Sequence, residues 1–329
     1  MTTAETLAPP AGTAGGSAAP AGAIGAAAGR GSSVAGRSAR LRSRTALWQA
    51  APMALVFALF FVLPLIATLV VSFWDYTEYS LIPAFTLQNY RDMFDGCLER
   101  LPDLCTTFAT YLSTFKFAAL AWIFTLLIGF GVAYFLAFHV RTLEMQVALF
   151  LLCTIPFWTS NVIRMISWIP LLGREGLVNT ALRDLGLIEA PLDWLLFSPF
   201  SVTLAFVHLY TLFMMVPIFN SMMRIDPALL EAARDAGASG WQTLREIVIP
   251  LSYPGIVIGS IFVVTIVMGD FVTIGVMGGQ QIASVGKVIQ VEMSYLLFPA
   301  AAAQAIVLLA LVLGMIWGLT RLVDIRKEL

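Results

Sequence analysis

EAARDAGASGWQTLREIVIP, Glu231 to Pro250, is a charged, glycine-bearing segment between two long runs without an ionised side chain. Its local signals are those of two short helices. Asp226 followed by Pro227 supplies an N-cap with proline at the first helical position, and Gly237 suits the residue just past a helix end. Ser239 then opens a second helix, because Ser-Gly-Trp-Gln places a glutamine three residues after the cap. Trp241, Leu244 and Val248 recur at helical spacing until Pro250. Ala232, Ala233, Ala236, Gly237 and Ala238 form a face of small side chains, with Glu231, Arg234 and Asp235 at its edge. Such a face admits another backbone closely; the plainer alternative is a solvated loop whose alanines favour helix.

The solvent around this elbow follows from composition. The 329 residues are 59% hydrophobic and 12% charged, against about a quarter charged in a soluble domain. Six stretches lack Lys, Arg, Asp and Glu: Thr45 to Trp74, Phe117 to Val140, Met145 to Ile163, Trp194 to Met223, Ile247 to Gly269, and Met293 to Thr320. Each is long enough to cross a bilayer as a helix, which takes about 20 residues. The expected fold class is therefore all-α, a polytopic membrane protein with six transmembrane helices. The third is expected to continue past Arg164 toward Trp168 and Leu172, the arginine snorkelling to the interface. Pro64, Pro156, Pro217 and Pro254 lie in or beside these runs and each removes a backbone donor, so kinks are expected there.

Orientation follows from the basic residues. With a cytosolic N-terminus, the inside segments hold 12 of the 19 Lys and Arg, and the outside segments hold seven against twelve acids. The positive-inside rule selects this arrangement, with both termini and the elbow in the cytosol. Residues 1–44 are Ala, Gly and Ser-rich and basic, a composition that cannot bury enough surface to fold, so a disordered cytosolic tail is expected ahead of a membrane domain at 45–325. An organelle transit peptide is the alternative. Cys97 and Cys105 lie in the first outer loop, where spacing alone leaves a disulfide and two free thiols both open. Cys153 falls inside the third run, where it reads as packing.

Glu231, Ala232, Ala233, then Gly237, Ile247, Ile249 and Pro250 resemble the EAA signature of permease subunits of binding-protein-dependent ABC importers, with Ile249 where leucine is usual. FTLQNYRDMF at 85–94, PFWTSNVIRMISWIPLLGREGLVN at 156–179 and MGDFVTIGVMGG at 268–279 are similar to the first permease subunit of spermidine/putrescine importers. The resemblance covers most of residues 48–320. It implies a type I ABC importer transmembrane domain whose cytosolic coupling loop, 224–250, docks on an ATPase through Glu231, Ala232, Ala233, Asp235, Gly237 and Pro250. It further implies two ATPase copies, a second permease in a heterodimer, an extracytoplasmic solute-binding protein, and a place in the bacterial inner membrane. The implied cargo is a small polar or cationic solute such as a polyamine.

No Gly-x-x-x-x-Gly-Lys-Ser/Thr sequence is present, so ATP and Mg are expected on a partner and no cofactor on this chain. The two histidines and three cysteines outline no metal cluster and no catalytic set, and no nucleic-acid partner is expected. Pathway candidates are Asp270, the natural anion for a cationic solute, and Glu292 with Tyr295, an acid beside a cation-binding aromatic face. Asp270 and Glu292 read equally as water-exposed acids at helix ends. Trp158, Trp168 and Arg164 are read as an interfacial belt and outer gate, with Trp158 kept among the pathway candidates. Asn161 is expected to bond between helices. Two alternatives of another class remain: an ion-coupled secondary transporter working alone, which needs ionisable groups at mid-membrane, and an intramembrane enzyme, which needs a paired catalytic set.

Overall fold

The computed structural model describes residues 49–77, 80–95, 97 and 105–321. The expected tail at 1–44 lies outside them. The chain divides into two units, residues 1–64 and 65–329. Among the described residues, five helices are long and apolar enough to cross a membrane: α1 (Gln49–Val71), α3 (Thr106–Phe138), α8 (Asp193–Met222), α10 (Gly240–Gly269) and α13 (Phe298–Arg321). A sixth span is present if the bent pair Leu143–Trp158 (α4) and Asn161–Asp184 counts as one. The shorter elements are a hairpin of β1 (Asp75–Tyr76) and β2 (Leu81–Ile82), α2 (Gln88–Met93), α5 (Asn161–Ile166), α6 (Ile169–Leu172), α7 (Leu177–Asp184), α9 (Pro227–Asp235), α11 (Val272–Met277) and α12 (Val285–Ser294).

The third span departs from expectation. Helix α4 ends in a 3-10 turn at Ile155–Trp158, Thr159 is extended, and the chain restarts at Asn161 bent by 91°. Pro156 lacks the donor that would bond the preceding turn, and the extended Thr159 and Ser160 release the chain from the helix. Arg164 therefore lies on a short helix after a corner rather than on a continuing span.

The core of the second unit is built by α3, α8 and α10. Phe117 meets Phe206 edge-on at 6.5 Å, and Gly129 lies against Met214 and Met215, so α3 and α8 run the same way. Gly255 faces Pro217 and Gly259 faces Met214, so α10 runs back along α8. Small residues at these crossings let backbones approach, which is how helices associate where no hydrophobic effect separates them from lipid. Phe206, Met214, Ile218 and Val263 are fully buried between them. Trp122 donates its indole N–H to the Ser260 hydroxyl at 2.7 Å, joining α3 to α10. At the start of α4, the buried Gln146 donates to the Leu136 carbonyl at 2.9 Å and ties that helix to the end of α3.

Two ends of the bundle follow from these directions. The elbow end carries α9; the loop end carries the starts of α3, α8 and α13, the hairpin, α2 and α12. At the loop end Asn89, which is buried, donates to the carbonyls of Ser72 and Trp74 at 3.0 and 2.8 Å and fastens α2 to the turn after α1. Cys97 and Cys105 form a disulfide with their Cα atoms 4.8 Å apart, joining the chain after α2 to the start of α3. Cys153 is a free, half-buried thiol.

Candidate functional site

The elbow folds as its residues dictate. The Asp226 carboxylate accepts from the Ala228 N–H at 2.9 Å with Pro227 at the first helical position, which satisfies one of the orphan donors of α9. At the other end Gly237 has φ +80, and Ala238 N–H returns to the Ala233 carbonyl while Gly237 N–H bonds Arg234, a Schellman closure. The next helix opens with a reciprocal box: Ser239 Oγ accepts from Gln242 N–H at 3.3 Å, and the Gln242 side chain accepts from Ser239 N–H at 2.8 Å.

The sequence pattern places a second helix that leads through Pro250 into the fifth span, and the structure has the two as one helix, Gly240–Gly269. A wide π turn at Leu244–Val248 precedes the proline, and such a turn re-registers the backbone bonds where Pro250 offers no N–H. Glu231, Ala232, Arg234, Asp235 and Gly237 are all exposed, and Trp241 is 67% exposed. A helix of this length cannot hold itself together in isolation, so its two caps and its attachment to α10 fix a geometry that leaves one whole face open.

At the loop end the pathway candidates fall into separate places. Asp270 sits in the break between α10 and α11. Its carboxylate accepts from the Tyr210 hydroxyl at 2.5 Å, from Thr273 N–H at 2.9 Å and from the Thr273 hydroxyl at 2.5 Å. The acid thus caps the start of α11 and ties it to α8. Replacing Asp270 by Ala is expected to lower thermal stability by about 1 kcal/mol or more, the usual loss for a cap, with Tyr210→Phe giving a smaller fall in the same melting measurement.

Glu292, on α12, lines a cavity of about 310 Å³ with Tyr76, Asn89, Asp92, Tyr111 and Gln304, and its Oε2 is buried without a hydrogen-bond partner. Burial pushes its carboxyl up to about 7. Tyr295 is 73% exposed and Trp158 85%, and neither lines that cavity. The four candidates therefore do not converge within this chain.

Two further expectations change. Asn161 does not bond between helices: its side-chain oxygen accepts from Arg164 on the same turn of α5. His208, which had no evident partner in the sequence, accepts at Nδ1 from the Trp168 indole at 3.0 Å, with the rings edge to face. Arg164 is itself buried, and its Nε has no hydrogen-bond partner. The residues that sequence reasoning missed are Tyr210, Tyr76, Asp92, Tyr111 and Gln304. Tyr210 lies 60 positions from Asp270, and no spacing rule links such distant segments. Among the described residues, no group of three or more His, Cys, Asp and Glu is placed to hold a metal.

A capped elbow between the fourth and fifth apolar runs of a helical membrane bundle is the arrangement of an importer permease, and the family model agrees. Residues 140–325 match the binding-protein-dependent transport system inner membrane component, and the chain belongs to that family of ABC importer permeases. Among its relatives is the spermidine/putrescine transport system permease protein PotB of Escherichia coli (strain K12), 34% identical over 279 residues that cover 82% of this chain and 96% of the relative. The PotB protein of Haemophilus influenzae is 31% identical, covering 86% and 97%. Inner membrane ABC transporter permease protein YdcU of E. coli is 29% identical over 61% of this chain.

The fold is shared with chains of a bacterial alginate ABC transporter. One, crystallised in complex with an alginate pentasaccharide-bound periplasmic protein, superposes with a TM-score of 0.65 at 17% identity, covering 84% of this chain and 93% of that one. A second, from a transporter involved in import of the acidic polysaccharide alginate, gives 0.66 at 18%, covering 87% and 98%.

Proposed function

We propose that this permease forms one half of the pathway of an ATP-driven importer of small organic cations, polyamines such as spermidine and putrescine first. The observation that carries the coupling half of the reading is the elbow, whose capped geometry presents Glu231, Ala232, Arg234, Asp235 and Gly237 uncovered. A separate ATPase docks there, two copies per transporter, binding ATP and Mg that this chain has no motif to hold. The polyamine half rests on similarity to the PotB proteins over most of both chains.

In this reading the elbow end and both termini face the cytosol, as the basic residues favour. A second, different permease completes the pathway, and an extracytoplasmic binding protein delivers cargo at the loop end. Closure of the two ATPases moves the elbows, and rocking of the spans alternates access. Asp270, Glu292, Tyr295 and Trp158 remain the loop-end residues proposed for the pathway, with Glu292 favoured because the Asp270 carboxylate already takes three donors.

The test is reconstitution. The chain, its neighbouring permease, ATPase and binding protein in proteoliposomes are expected to take up radiolabelled putrescine or spermidine only with ATP inside the ATPase-facing compartment. Uptake by this chain alone, driven by an ion gradient without ATP, would instead establish the secondary-transporter alternative.

A further inference from the structure

The loop-end cavity has the chemistry of an ammonium receptor. Four segments distant in sequence enclose it: β1 and α2, the first turns of α3, α12, and the start of α13. Its lining includes two carboxylates, Asp92 and Glu292, and no Lys, Arg or His. Three hydroxyl protons of the lining are already committed to protein oxygens. Thr107 donates to the Met93 carbonyl at 2.5 Å, Thr110 to the Thr106 carbonyl at 2.8 Å, and Tyr111 to Gln304 Oε1 at 3.4 Å. A hydroxyl whose proton is committed retains only acceptor capacity. The cavity thus carries two carboxylates without a fixed cation, and one of their oxygens, Glu292 Oε2, is buried with nothing to bond. A buried polar atom in a native structure is expected to have a partner, so this one marks the place of a donor.

We propose that this cavity binds the ammonium group of a small organic cation, with Glu292 as its counter-ion, Asp92 at the mouth, and the Tyr76 and Tyr111 rings against the charge. A volume of about 310 Å³ holds roughly ten waters' worth of space, which suits a short alkylammonium chain better than a bare metal ion. The lining supplies aromatic faces that favour such cations and lacks the carboxylate cage a divalent ion requires. The site lies within this one chain. It deepens the polyamine reading, on which it rests for the identity of the cargo, by placing a capture point ahead of the pathway shared with the second permease.

Binding should depend on pH. The titratable groups facing Glu292 are Tyr76 from β1, Asp92 from α2 and Tyr111 from α3. The Tyr76 phenol is itself raised by burial and then by Asp92, Glu292 and Asp75, a sign of the negative field there. Because the Glu292 carboxyl sits at about 7, it is mostly protonated below that pH and must release a proton to accept a cation. Affinity is therefore expected to fall about tenfold from pH 8 to pH 6, the linkage of one proton to one ligand.

The experiment is calorimetric titration of putrescine into the assembled transporter in lipid nanodiscs, without ATP and without the binding protein. Wild type is expected to show saturable binding with the pH dependence above. Glu292→Gln is expected to weaken it at least tenfold and flatten the pH profile, and the exposed Asp92→Asn to weaken it several-fold with an unchanged melting temperature. Should E292Q fail to fold, D92N decides. Absence of wild-type binding, or wild-type affinity in the variants, overturns the cavity assignment even if ATP-driven polyamine uptake is observed. Binding lost in the variants while the reconstituted complex carries no polyamine would leave the cation cavity standing and remove the polyamine reading.

Discussion

Replacing Gly237 with Val is expected to abolish ATP-dependent uptake, by tenfold or more, while the chain still inserts and accumulates in the membrane. An added Cβ at Gly237 meets nothing within 4 Å, so the penalty is not a clash. It is conformational: φ there is +80, and a β-branched residue resists that region. The Schellman closure opens, the carbonyls of Ala233 and Arg234 lose their partners, and the angle between α9 and the following helix is no longer fixed. Glu231→Arg is the matched electrostatic test, since Glu231 is exposed and contributes nothing to the core. Both variants should release the ATPase in pull-down from detergent extracts while leaving the thermal unfolding of the bundle within about 1 kcal/mol. ATPase retained and uptake unchanged in both would remove the elbow from the coupling mechanism.

The largest expected effect on stability is at Gly255. A Cβ built there lies 2.4 Å from the Pro217 carbonyl oxygen, 2.6 Å from Ser221 Oγ and 2.9 Å from the Ile218 Cα. Two of these are backbone atoms that cannot turn aside. Gly255→Val therefore requires α8 and α10 to separate, and overpacking of that kind costs about 1–3 kcal/mol or more. The expectation is a drop of several degrees in melting temperature and lost expression, measured in the same detergent as wild type. Gly259→Ala offers a graded comparison, because one of its near neighbours is the flexible Met214 Sδ at 2.8 Å. Equal melting temperatures for G255V and wild type would mean that this crossing is not close in the folded protein.

Much of this fold was legible in the chain because its signals are local. The charge-free runs locate the helices, and Asp226-Pro227, Gly237 and Ser239 with Gln242 set the elbow's caps, each acting within four residues. What was not legible depends on context. Pro156 and Pro254 are the same residue inside similar apolar runs, yet the chain turns by 91° just beyond the first and passes unbroken through the second. Around Pro254 the small Gly255 lets α10 keep its packing on α8, and beyond Pro156 an extended Thr159 ends the helix.

The site divides the same way. Glu292 stands out as an acid beside an apolar run, but its cavity partners Tyr76, Asp92, Tyr111 and Gln304 come from segments that only tertiary packing assembles. Asp270 stood out for the same reason, and its hydrogen bonds make it a fastening between α8 and α11.

The wide turn ahead of Pro250 has a mechanical meaning. By letting the backbone run on through Pro250, it makes Gly240 and Gly269 opposite tips of a single helical lever of 30 residues, about 45 Å at ~1.5 Å per residue. A tilt of about 5° at the elbow would swing the far tip by roughly 4 Å over that length. Asp270 and its fastening to Tyr210 sit at that tip, so a small push at the elbow would arrive there as a side-chain-sized displacement.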